Sequence, residues 1–191
     1  LYFYHFKLNI QIISSHFENK TSDKSGLILE GRAENISIIS SIFIENTPKT
    51  DDLTIPSMSV IRGSTMFFTM LNCYLIHNIA SFGIFFFTEI KVPLTISMDK
   101  VHLFFNFGGN AAGIWTGQET NNRTIIWKNS DFKANSANGV ATLLFVYILH
   151  RIQSLDVLFE KLQIADNWNS YLNALAASWC LINNPVIIYQ N

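Results

Sequence analysis

The chain has 191 residues, 49% of them hydrophobic and 14% charged, with a formal net charge of −1. This balance gives no bulk charge to attract nucleic acid or anionic lipid, and it supplies ample apolar surface for a continuous core. No run reaches the ~18 apolar residues of a membrane helix; the longest, Val140 to Leu149, suits a buried strand. A signal-peptide pattern is missing, because Lys7 and the polar stretch from Gln11 to Lys24 interrupt the N-terminal segment. The chain opens on Leu1 without an initiator Met and closes on Asn191 after apolar residues, so the expectation is part of a longer chain.

A repeat organises most of the chain. In chain order, Ile10, Ile12, Ser15 and Phe17 precede Lys20, and Ile36, Ile38, Ser41 and Phe43 precede Asn46 at the same distances. Phe68, Met70, Cys73 and Leu75 then precede Asn78, and Ile96, Met98, Val101 and Leu103 precede Asn106. Ile125, Trp127, Ser130 and Phe132 lead to Asn135, and Val157, Phe159, Leu162 and Ile164 lead to Asn167. Counted back from the closing residue as zero, these are positions −10, −8, −5 and −3. The intervals from Asn46 through Asn167 are 32, 28, 29 and 32 residues. A further apolar strand follows in most copies, often after glycine, at Gly26-Leu27-Ile28-Leu29, Gly83-Ile84-Phe85-Phe86, Gly113-Ile114-Trp115 and Gly139-Val140-Ala141.

Positions −10 and −8 alternate with period two, as do −5 and −3, so each pair predicts a short strand with one face inward. The phase change between −8 and −5 predicts a corner. Each copy thus supplies about three short strands, and stacking the copies pairs like strands in parallel with side chains piled in inward columns. The expected fold is all-β, a right-handed parallel β-helix (solenoid) of about six coils, roughly 29 Å long at the strand spacing. Coils span about residues 8–169, and 170–191 form a terminal coil or cap, with 1–191 a single β-helix segment. In the tail, Leu175, Ala177, Cys180 and Ile182 repeat the spacing with Pro185 at zero. That copy follows Asn167 too closely for a full coil. It reads as a shortened coil or an irregular cap carrying Trp168 and Trp179, with a short helix over Leu172 to Cys180 as one form of the cap. At column zero, Asn46, Asn78, Asn106, Asn135 and Asn167 are expected to form a structural ladder that satisfies buried polar atoms at the corner. The alternative is a plain preference of Asn for turns.

The copies Ser41-Ile42-Phe43-Ile44-Glu45-Asn46, Cys73-Tyr74-Leu75-Ile76-His77-Asn78 and Ser130-Asp131-Phe132-Lys133-Ala134-Asn135 resemble repeats of the right-handed parallel β-helix superfamily that includes pectate-lyase-like enzymes. They look closest to repeats of polymorphic outer-membrane proteins and of large β-helical surface proteins from ciliates. The resemblance covers about Leu8 to Asn169 and implies architecture rather than one activity.

Enzymes of that superfamily imply clustered carboxylates on adjacent coils, for Ca²⁺ or for hydrolysis. Here Asp99, Asp131, Asp156 and Asp166 occupy four different columns, and Asp51-Asp52 sits in the longest insertion. His102 beside Asp131 on the next coil, near Lys100 and Lys133, is the best acid–base pair, but no nucleophile joins it. The five histidines lack metal-binding spacing. Cys73 reads as a small apolar filler, and Cys180, about four coils or ~19 Å away, is too far for a disulfide. No catalytic residue, metal or cofactor is therefore assigned. Tyr74, Phe104, Phe105 and Trp115 are candidates for stacking on sugars. Ile44, Ile76 and Phe104, in outward column −2, predict an interface. Three sequons at Asn19, Asn35 and Asn122 avoid the inward columns and can carry N-linked glycans. The expected function is a structural or adhesive scaffold, extracellular or at the cell surface, partnered by itself or by further β-helix chain, stacked end to end into a fibre. A carbohydrate-active enzyme or carbohydrate-binding module is the alternative.

Overall fold

The computed structural model describes residues 8–19, 21–22, 27–31, 33–48, 59–63, 67–80, 83–88, 92–109, 111–117, 122–138, 144–147, 155–169, 176–179 and 186–190. Every regular element among them is a strand, and the strands pair in parallel to form a β-solenoid. In the largest sheet Leu8–Ile13, Ala33–Ile39, Phe67–Ile76, Leu94–Phe104, Arg123–Lys128, Leu155–Glu160 and Val186–Gln190 lie side by side in that order. Past the corner this sheet continues in the short strands His16–Glu18, Ile42–Ile44, Asp131–Lys133 and Gln163–Ala165. A second sheet stacks Leu27–Gly31, Ser59–Gly63, Gly83–Thr88, Ala111–Gly117, Leu144–Tyr147 and Ala176–Trp179. Between the two run the two-residue strands Ile79–Ala80, Phe107–Gly108, Ser136–Ala137 and Trp168–Asn169, a fourth strand per coil that the repeat did not reveal.

Like positions pair with like. Ile10 lies against Ile36, Phe68 pairs with both Ile36 and Ile96, and Ile125 pairs with Ile96 and Val157. Inward columns −10, −8 and −3 are buried from Ile36 onward to Phe159, so side chains of neighbouring coils pack directly on one another. Phe17 and Phe43 stack with ring centroids 4.8 Å apart. Phe68 bridges the core to the second sheet, 5.8 Å from Phe85 and 5.1 Å from Phe87. Burying one such side chain contributes about 1.5–3 kcal/mol, and the regular stack multiplies that gain at every coil.

The corners have a common backbone cause. Among the described residues, twelve non-glycine residues adopt positive φ, and they fall in two columns, −6 and −1. Column −6 holds Ser14, Ser40, Asn72, Lys100, Asn129 and Lys161; column −1 holds Asn19, Glu45, His77, Phe105, Ala134 and Asp166. One left-handed residue between −8 and −5 reverses the strand phase, which is the corner the spacing implied. Each corner keeps its ladder: Ser40 N–H donates to Leu71 O at 2.9 Å and His77 N–H to Phe104 O at 3.0 Å. Just past column zero the backbone of the same coil closes in. A Cβ on Gly108 would lie 1.8 Å from Ala111 O, so only glycine fits.

Two expectations for the chain's later part change. The tail does not form a helical or irregular cap at 176–179: Ala176–Trp179 is a strand of the second sheet paired with Leu144–Tyr147. The next copy begins later than the spacing suggested, because Val186–Gln190 pairs with Leu155–Glu160 and sets Ile187 beside Val157 and Tyr189 beside Phe159. Ala177 therefore sits in the second sheet, beside Phe145, and not at position −8. In the same way, Ser59–Gly63 supplies a strand with no leading glycine, and Leu144–Tyr147 is the described strand of the second sheet in its coil, the strand expected at Gly139-Val140-Ala141 lying outside the described residues. Pairing to the neighbouring coil, not the local glycine, sets these positions. Lys20, Asp51, Asp52, Val140, Leu172 and Cys180 lie outside the described residues.

Candidate functional site

Three features converge on the corner that flanks the short strands. The first is column zero. Asn78 N–H and Nδ2 both donate to Asn106 Oδ1 at 2.9 Å, while Asn78 Nδ2 also donates to Phe43 O at 3.0 Å. The same three bonds recur at Asn46 toward Asn78 and Phe17 O, at Asn106 toward Asn135 and Leu75 O, and at Asn135 toward Asn167 and Leu103 O. Asn167 Nδ2 closes the described ladder on Phe132 O at 2.7 Å. In the middle coils each amide is thereby used as donor twice and acceptor twice, which a buried Asn must achieve to avoid an orphaned polar atom.

The second feature is column −5, which the spacing marked only as an inward strand position. Ser15, Ser41, Cys73 and Ser130 each donate to the carbonyl two residues back in their own coil. Three of them also take an N–H of the preceding coil: Ser15 N–H donates to Ser41 Oγ at 3.2 Å, Ser41 N–H to Cys73 Sγ at 3.5 Å and Val101 N–H to Ser130 Oγ at 2.9 Å. Cys73 thus fills the core as expected and also takes the place of serine in this set of hydrogen bonds. Its thiol is buried and free, and burial pushes its pKa up. A hydroxyl or thiol recurring at one column was the available signal, hidden by Val101 and Leu162 in the other coils.

The third is the outward face of the short strands, where columns −4 and −2 stand side by side. Registration sets Ile42 beside His16, Tyr74 beside Ile42 and His102, and Asp131 beside His102 and Gln163. The rings of Tyr74 and His102 stack at 4.8 Å. His102 Nδ1 lies 2.7 Å from Asp131 Oδ2, and Lys133 Nζ lies 2.9 Å from Asp131 Oδ1 and donates to Gln163 Oε1 at 2.8 Å. Burial pushes the Asp131 carboxyl up, but the hydrogen bonds and charges of Lys133 and His102 outweigh it and hold the group below its ordinary range. The result is a carboxylate engaged on both oxygens, an ion-pair cluster that lacks a nucleophile among the described residues. In column −2, Ile44, Ile76 and Phe104 are half-buried and continue the same face. Phe105, His77, Ile79 and Phe107 extend it around the corner, Phe105 being 58% exposed.

The remaining sequence candidates are dispersed. Asp99 accepts from Asn129 Nδ2 at 2.8 Å, and Asp156 and Asp166 stand in other columns. No group of three or more potential metal ligands occurs among the described residues. Asn19 is exposed at a left-handed corner, Asn35 Nδ2 donates to Asn9 Oδ1 at 2.8 Å, and Asn122 is half-buried with Oδ1 enclosed. The Trp115 side chain lies outside the described residues. Sequence reasoning missed Arg123, which is buried between Leu94 and Leu155 and donates to Val92 O at 3.3 Å. Compared with protein-family models, curated proteins and solved structures, the chain matches none.

Proposed function

We propose that this chain is a scaffold, a length of β-solenoid with a structural or adhesive role outside the cell, and not an enzyme. The observation that carries the reading is the asparagine column, continuous from Asn46 to Asn167, in which polar side chains are spent on coil-to-coil bonds. The polar groups on the outer face are likewise engaged with one another, as Asp131 is with His102 and Lys133. The superfamily that includes pectate-lyase-like enzymes is the finer assignment we propose, on the strength of the repeat and the parallel stacking. Exposed Asn19 supports a secreted, N-glycosylated chain. A second reading, a carbohydrate-binding module, draws support from the exposed rings of Tyr74, Phe105 and Trp168. Glycopeptide mapping of the natural protein tests the surface-glycoprotein reading: a glycan at Asn19 is expected, and empty sites at Asn19, Asn35 and Asn122 alike would overturn it.

A further inference from the structure

We propose that the short-strand face is a self-complementary surface on which two copies of this chain pair with their coil orders reversed. The inference goes beyond the scaffold reading and does not depend on where the protein resides. Read from coil to coil, column −2 runs Glu18, Ile44, Ile76, Phe104, Lys133, with an acid and a base enclosing three apolar residues. Column −4 runs His16, Ile42, Tyr74, His102, Asp131, with the polar signs in the opposite order. Glu18 and Lys133 stand four coils apart, about 19 Å at the strand spacing.

An isologous contact needs one patch to complement itself under a two-fold rotation. An axis lying in this face, along the strands and through Tyr74 and Ile76, keeps each column on its own kind and reverses the coils. Glu18 then faces Lys133 of the second copy, and His16 faces Asp131. The aliphatic coil, Ile42 and Ile44, faces the aromatic coil, His102 and Phe104, which evens the thickness of the apolar layer. Coil-matched packing would instead set Asp131 on Lys133 and His16 on Glu18, pairs each chain already holds at 2.9 and 3.4 Å. It would also crowd both aromatic coils together. Reversal alone gives Glu18 a full cationic partner. The patch, five coils long and about five residues wide, covers roughly 400 Å² per copy. That is about half of a standard interface, so the pair is weak and concentration-dependent.

The test uses charge exchange in the 191-residue chain. Sedimentation of the unaltered chain from about 10 μM to about 1 mM is expected to show a monomer–dimer equilibrium. Glu18→Lys alone and Lys133→Glu alone each place like charges opposite one another twice, and each should weaken dimerisation about tenfold or more. Mixing the two variants restores opposite charges at both contacts of a reversed pair, so the mixture should dimerise like the unaltered chain. In a coil-matched pair the mixture gains nothing. A monomer throughout the range overturns the proposal, as do variants that dimerise unchanged or a mixture that stays as weak as its components. Thermal midpoints separate lost pairing from lost folding: Glu18→Lys, at an exposed site, is expected close to the parent, while Lys133→Glu, which gives up the ion pair to Asp131, is expected lower, so dimerisation is read well below both midpoints.

Discussion

Asn106→Asp separates a hydrogen-bonded ladder from a mere turn preference, because Asp suits turns as well as Asn does but cannot donate from its ionised side chain. Asn106 Nδ2 donates to Leu75 O at 2.8 Å and to Asn135 Oδ1 at 3.0 Å. A carboxylate oxygen at that place confronts two acceptors. Two bonds worth about 1 kcal/mol each disappear, and the desolvated oxygen costs a further ~1–3 kcal/mol. The expected loss is about 3–5 kcal/mol, a large part of the ~5–15 kcal/mol that holds a typical domain together. Protonation removes the buried charge and lets one oxygen donate, so the deficit should shrink as pH falls from about 7 toward 4. Urea unfolding followed by far-UV circular dichroism reads the change, with a constant m-value showing that stability alone has moved. A loss within about 0.5 kcal/mol would refute the ladder as a source of stability and leave Asn as a turn residue only.

Two further substitutions probe the corners and the outer cluster. Ala134 has φ 53°; Ala134→Gly relieves about 1–2 kcal/mol of left-handed strain against ~0.5–1 kcal/mol of added chain entropy. A net gain of about 0.5 kcal/mol is expected, with a loss for Ala134→Val, and a lower thermal midpoint for the glycine variant would contradict the corner geometry. The Asp131 carboxyl lies below its ordinary range when folded, so its contribution is present above the unfolded value near ~3.9 and is lost as pH falls through the lower folded value. Thermal midpoints taken down to about pH 2 should therefore fall less steeply for Asp131→Asn than for the parent; parallel curves would count against the ion-pair cluster.

Column by column, the large sheet and its core were legible because burial there imposes period two on one chain segment. Ile96 and Met98, like Ile125 and Trp127, advertise an inward face without reference to any other coil. The second sheet was less legible because the number of residues between column zero and the next strand varies, so no fixed offset marks its members. Ser59–Gly63 carries no leading glycine, and Leu144–Tyr147 starts five residues past Gly139. Ala176–Trp179 has the alanines of a helix and becomes a strand because Leu144–Tyr147 offers it a parallel edge.

The corners show why the rest could not be read from composition. Left-handed φ ordinarily selects glycine or asparagine, yet column −6 includes Lys100 and Lys161, and column −1 includes Phe105 and Glu45. What fixes the backbone there is the coil on top: Phe105 N–H reaches Lys133 O at 3.2 Å, and Asn129 N–H reaches Glu160 O at 3.0 Å. The ladder compensates the local strain, leaving the side chain free to vary. That freedom lets chemistry accumulate on the outside. His77 and Phe105 meet edge to face at 5.1 Å on consecutive corners, and the short strands beside them carry Glu18 and Lys133 at either end of an apolar strip. Such a strip belongs to no segment of sequence. It exists only across coils, and its complementarity to itself appears once stacking has put those residues in one column.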